Sequence, residues 1–390
     1  MNSARYRTLA GLLAIGACQV TTAARSVGAG LGGAQEPQAA SAPEAKFKQL
    51  STDAIEAQEA GRSDEALSLY RKALEIQPKW ADGWGNVGML LANRQDFKGA
   101  ESAFHRLLDI NPKDSSAWAM LVLSEYEEGK LEPAFADLQR ARALGIPDAS
   151  LSHLATYHAA LILIQQGEFP MANSLLTVLA KVQVNNPDVV KALGLAALCI
   201  PTAPDKVPAD KEPLIVRVGQ IQMAAAHAPT DETVAEYEKL LSDEPATPGL
   251  HYAFGNFLAD VRRYDRALAE MRSELQINPK NVLALLELDL INVRLGRPQE
   301  GVPYAEKAVS LAPQAYATHY ALGWTFYKLG RSDRAIRELE QAAKLQPGDA
   351  KAHYALSEAY RLAHRKSDAM RESQIFDSLK QQEKTNPSPQ

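Results

Sequence analysis

Three histidines head the same tripeptide: His251-Tyr252-Ala253, His319-Tyr320-Ala321 and His353-Tyr354-Ala355. Regularly spaced imidazoles are the groups of this chain best suited to ligate a metal or move a proton. Their spacing argues otherwise. His319 follows His251 by 68 residues and precedes His353 by 34, so equivalent copies of one structural element carry them. Packed helices of neighbouring copies lie about 10 Å apart, too far to share an ion whose bonds are about 2 Å long. No His-Glu-x-x-His, Gly-x-Ser-x-Gly or phosphate-loop motif occurs. The glycine-rich stretch at 28–33 has no strand before it and no capped helix directly after it, so it reads as linker. Cys18 and Cys199 are the two cysteines, which gives neither a disulfide framework nor a cysteine metal site. No catalytic residue, cofactor or metal is expected.

Composition fits that reading. The 390 residues are 46% hydrophobic and 23% charged, with a net charge of −5, as in an ordinary folded protein. No basic stripe interleaved with aromatics is present to neutralise phosphates, so nucleic acid is not an expected partner.

The first residues form an address. Arg5 and Arg7 precede a short apolar run over 9–17 that ends in small residues, a secretory-signal pattern well short of the roughly 20 residues of a permanent span. Ile15-Gly16-Ala17-Cys18 resembles the lipobox of bacterial lipoproteins. That resemblance implies cleavage before Cys18, lipidation of its thiol and, with Gln19 following, sorting to the outer membrane, facing the periplasm. A secreted or periplasmic soluble protein is the alternative; a mitochondrial presequence is another, because Arg5, Arg7 and Arg25 all precede the first acid, Glu36. Residues 18–46 are rich in Ala, Gly, Ser, Gln and Pro and read as a flexible tether.

The elements that must carry the histidines follow from a period. Pro78 and Pro112 lie 34 residues apart, as do Pro245, Pro279, Pro313 and Pro347 in succession. Proline cannot continue a helix, so each ends one unit. In the clearest unit, 316–349, Leu322, Phe326 and Leu329 share one helical face. Gly323 is the small contact residue, Gly330 a left-handed cap, and Ser332 or Asp333 a cap for a second helix lined by Ala335, Leu339 and Ala342. Matching offsets recur at 47–80, 81–114, 115–148, 248–281, 282–315 and 350–383. In 282–315 Asp289 replaces the small residue, so that pair is expected to pack loosely. Residues 150–187 and 214–247 keep the pattern less regularly, and Pro201, Pro204 and Pro208 mark a loop between them.

This pattern resembles the tetratricopeptide repeat (TPR), period 34 and small contact residues included. The resemblance implies an all-α TPR-like superhelix, or solenoid, of helix-turn-helix repeats in two arrays joined by a Pro-rich segment. The expected divisions are a signal peptide (1–17), the tether (18–46), arrays at 47–199 and 214–383, a linker at 200–213, a polar capping helix and a disordered tail at 384–390. The histidines then stand where the family often has Trp, in packing positions. Offsets 2, 5, 9 and 12 of each first helix face the family's concave groove. Here they nominate Tyr252 and Asn256; Tyr320, Trp324 and Tyr327; and Tyr354, Glu358 and Arg361, edged by Lys328 and Lys351. These rings either hold a peptide or line the solenoid's own inner surface. The Lys-Asn carboxylate clamp of the chaperone-binding TPR subset is missing at Gly85 and Met89, and at Tyr252, Asn256, Glu287 and Ala321. The functional expectation is a non-enzymatic scaffold for a protein or peptide partner, anchored through Cys18 and assisting assembly of an envelope complex. The alternatives are a structural subunit of a larger secretion or biogenesis machine that uses its convex faces, and an accessory subunit of an enzyme complex.

Overall fold

The computed structural model describes residues 42–182 and 186–385. The signal peptide, Cys18 and the tether up to residue 41 lie outside the described residues, as does the tail beyond residue 385. The described chain is built of α-helices joined by short turns, in antiparallel pairs. They are α1 (Ala42–Glu59) with α2 (Ser63–Ile76), α3 (Ala81–Asn93) with α4 (Phe97–Ile110), α5 (Ser115–Glu127) with α6 (Leu131–Leu144), and α7 (Ala149–Gln166) followed by α8 (Phe169–Val182). Next come α9 (Pro187–Ala197) packed on α10 (Glu212–His227), α11 (Asp231–Asp243), α12 (Leu250–Asp260) with α13 (Tyr264–Ile277), and α14 (Val282–Arg294) with α15 (Pro298–Leu311). The last pairs are α16 (Tyr316–Lys328) with α17 (Ser332–Leu345) and α18 (Ala350–Leu362) with α19 (Lys366–Thr385). This is a TPR-like helical solenoid fold. The chain divides into two compact units, residues 1–158 and 159–390.

Within each unit one core runs through successive pairs. In the second, Leu322 and Phe326 of α16 meet Ala335, Ile336 and Leu339 of α17, then Ala355, Leu356 and Tyr360 of α18 and Ala369 of α19. No single pair encloses these side chains, so stacking supplies the burial that stabilises each repeat. Small residues set the approach: a Cβ placed on Gly323 would come 2.7 Å from Cγ of Leu339.

The turns repeat as faithfully as the core. At offset 15, Gly61, Gly129, Gly296 and Gly330 have φ between 71° and 76°. Gln95, Arg262 and His364 hold the same left-handed backbone at φ 64°, 62° and 59°. One expected cap differs: Ser332 and Asp333 lie inside α17, whose N-cap is Arg331, with no side-chain cap bond. Asp333 in that first turn still opposes the positive end of the helix dipole.

One packing expectation is corrected. Asp289 is 2% exposed and tightly held; both its carboxylate oxygens accept from the Thr325 hydroxyl, at 2.8 and 2.9 Å. Space for it comes from Gly301 on the partner helix α15, where a Cβ would sit 2.4 Å from Asp289 Oδ1. The small residue has moved to the other side of the contact. The Pro-rich segment at 200–213 lies inside the second unit and carries a short 3-10 turn, Pro204–Lys206. The helices on either side of it touch backbone to backbone: a Cβ on Gly194 would be 1.9 Å from the Ile215 carbonyl oxygen, and one on Gly219 1.8 Å from that of Val190.

Candidate functional site

The most developed surface of the second unit is a stripe of rings on α16. Tyr316, Tyr320, Trp324 and Tyr327 recur at helical spacing, so they share one face. Tyr316 stacks on Tyr320 at 5.7 Å and 17°, Tyr320 lies parallel to Trp324 at 6.5 Å and 6°, and Trp324 meets Tyr327 at 5.1 Å and 31°. The Lys328 ammonium sits over Trp324, 4.5 Å from its ring centroid, and 5.5 Å from that of Tyr327. All four rings are half-buried. Tyr320, Trp324 and Tyr327 rest on the repeat core and stay part-exposed, which presents rigid apolar area at low entropic cost.

Neighbouring first helices extend the stripe. On α14, Leu283, Leu286, Leu290 and Val293 are half-buried beside it. On α18, Tyr354 is 45% exposed and contacts Phe376 at 5.5 Å. Glu358 is ion-paired to Arg361 and hydrogen-bonded to Tyr327, and Lys351 is exposed. Burial, then the Asp349 carboxylate, raises the Tyr320 hydroxyl pKa; burial, then Glu358, does the same for Tyr327. These phenols remain protonated donors at neutral pH.

The nominated residues do not all belong here. Tyr252 is 6% exposed and forms part of the core. Cys199 lies close enough to act on its hydroxyl, and the Leu198 carbonyl abuts Gly249 at the start of α12. The segment following α9 thus covers what would otherwise be the equivalent of Tyr320. Asn256 is half-buried on the same helix. Tyr316 stands at offset 1, outside the groove offsets 2, 5, 9 and 12; its spacing of four from Tyr320 is the sequence signal that places it on the same face.

The histidines anchor turns. His319 places Nδ1 2.7 Å from Glu338 Oε2 and Nε2 3.0 Å from the Pro313 carbonyl oxygen. His353 does the same with Glu372 at 2.8 Å and Pro347 at 3.0 Å, and His251 pairs with Glu270 at 2.7 Å. Each of these imidazoles bridges a carboxylate of the paired helix and the proline carbonyl that ends the preceding repeat. In the first unit Trp84 and Trp118 stand at the same offset and donate their indole N–H to the carbonyls of Pro78 and Pro112, at 2.8 and 2.9 Å. Either ring ties the start of a repeat to the end of the one before.

Two other titratable groups of the described residues are held in their neutral forms. Burial pushes the Cys199 thiol up to about 12, which removes it as a nucleophile at neutral pH. His158, buried between Tyr126 and Tyr157, is lowered to about 4 by desolvation and stays neutral. Among the described residues, Glu101, His105 and Glu125 are the group whose ligand atoms come together as a metal would need. No helix of the described residues is long and apolar enough to cross a membrane.

The tetratricopeptide-repeat family model matches residues 57–123 and 293–359. The chain therefore carries tetratricopeptide repeats in both of its units. No curated protein matches it. Similar solved structures include MamA, at 18% identity over 39% of this chain and 90% of that one, TM-score 0.38. A MamA from Desulfovibrio magneticus RS-1 is 20% identical over 44% and 98% of the two chains, with TM-score 0.38. YrrB, described as a TPR protein with an unusual peptide-binding site, is 19% identical over 44% and 89%, again with TM-score 0.38.

Proposed function

We propose that this tetratricopeptide-repeat chain is a non-enzymatic scaffold that captures an apolar or aromatic segment of a protein partner on the α16 face. The observation carrying this reading is the half-buried ladder Tyr316, Tyr320, Trp324 and Tyr327, the first three stacked, the last tilted against Trp324, with Lys328 beside them. A core needs such rings fully buried; a ladder left part-exposed suits docking. The leucines of α14 lengthen the apolar track, and Lys351, Glu358 and Arg361 border it with charge.

The proposal has a second part. Cys18, if lipidated, would fix the chain to a bacterial envelope membrane, with the following residues as tether, so that the repeats act in assembling an envelope complex. Its support is the pattern around Cys18 in the sequence.

Peptide-library display against the immobilised chain tests the first part. The parent is expected to enrich related sequences, and the combined Tyr320→Ala, Trp324→Ala and Tyr327→Ala variant to lose them. Enrichment that survives the triple variant would favour a structural subunit working through its other faces. Fractionation of the native cells tests the second part: Cys18→Ser should move the chain from the membrane to the soluble fraction, and unchanged membrane association would refute the anchor.

A further inference from the structure

A cluster of charged groups in the first unit plays no part in the α16 face. Glu101 and His105 lie four residues apart on α4 and so share a face; Glu125 comes from α5. One ligand atom from each of the three lies within 4.8 Å of the others. The Glu101 carboxylate is divided: Oε2 takes Lys130 Nζ at 2.5 Å, while Oε1 faces His105 Nε2 at 3.8 Å. An ion held by Oε1 would leave the lysine bond in place.

Glu125 supplies the independent sign. It is 3% exposed, and its Oε2 is buried without a hydrogen-bond partner. Asp137 of α6 is hydrogen-bonded to Glu125 and held by Arg140 Nη1 at 2.7 Å, and the Lys130 and Arg140 charges act on Glu125 without bonding its Oε2. Leaving a buried carboxylate oxygen without a donor is destabilising, and a cation removes that cost directly.

We infer that Glu101, His105 and Glu125 form a binding site for one divalent transition metal of the zinc type, joining α4 to α5. The donor set, one imidazole nitrogen with two carboxylates, suits zinc and its neighbours and not magnesium, which prefers an all-oxygen shell and keeps its water. Bonds of about 2 Å require the three donors to close in somewhat, and the His105 side chain, 51% exposed, is free to turn inward.

The test uses the full chain, stripped of metal with a chelator and titrated with Zn2+ by calorimetry and by thermal melting. The parent and a His227→Ala control, altered at an exposed histidine of the second unit, should bind zinc saturably and melt at a higher temperature with it. His105→Ala should keep the parent's metal-free melting temperature and bind zinc at least tenfold more weakly. With Co2+, visible ligand-field bands should appear in the parent and vanish in His105→Ala. Zinc affinity unchanged by His105→Ala, an absence of saturable binding to the parent, or an equal response to Mg2+ would each overturn the site.

Discussion

Gln95, Arg262 and His364 hold left-handed backbone where four sister repeats place glycine. A side chain there costs of the order of 1 kcal/mol through its Cβ. Gln95→Gly is therefore expected to stabilise the first unit by up to about 1 kcal/mol, read as a rise in denaturation midpoint. Asp289 makes a second residue-scale case. Burial pushes its carboxyl up to about 7, and the Thr325 hydrogen bond pulls the other way. A carboxyl raised above its ordinary value near 4 leaves the folded state holding the extra proton between about 4 and 7, so its contribution to stability falls as pH rises through that window. Asp289→Asn, which keeps an acceptor for Thr325, should raise the melting temperature at pH 8 and flatten the slope between pH 4 and 7. His251 has the same sign for a different reason: its hydrogen bond to Glu270 raises the imidazole pKa. The stability it adds is complete below the ordinary value of about 6.5 and is lost as pH climbs through the raised one. Glu270→Gln should cost roughly 1 kcal/mol at pH 6 and much less at alkaline pH, compared by denaturant melts at both.

At the scale of the element, two helix glycines behave oppositely. A Cβ on Gly194 in α9 runs into the backbone of α10, 1.9 Å from the Ile215 oxygen. The obstacle cannot rotate away, so Gly194→Ala should destabilise by about 1–3 kcal/mol. On α3, Gly85 offers a Cβ only ordinary contact, 3.5 Å from Leu107, and Gly85→Ala should stabilise by about 0.5–1 kcal/mol through helix propensity. Paired unfolding curves check both signs. Elements were the most legible part of this sequence, because each repeat states its boundary in single residue types: Gly330 at the turn, Pro347 at the end, Ala335 at the contact. What escaped the reading depended on two chain positions at once. Asp289 looked like a packing defect until Gly301, across the helix pair, supplied the missing space. Tyr252 matched Tyr320 in offset yet is covered by the segment after α9, a contact no repeat pattern encodes.

For the molecule as a whole, stacked helix pairs spread the hydrophobic core along each unit and leave a row of first-helix faces carrying whatever side chains are not needed for that core. On most of these faces the residues are small, aliphatic or charged; α16 alone among the described first helices carries four successive rings at helical spacing. The proposed docking face therefore lies there and not at the histidines, whose ring nitrogens are committed to carboxylates and proline carbonyls. The most direct measurement places a photoactivatable crosslinking residue at Tyr320, and separately at exposed Arg337 on the second helix α17, in cells that make the protein. A discrete adduct from position 320, lost when Trp324 and Tyr327 are also alanine, is the predicted result. An adduct from position 337 with none from position 320 would contradict the assignment of binding to the α16 face.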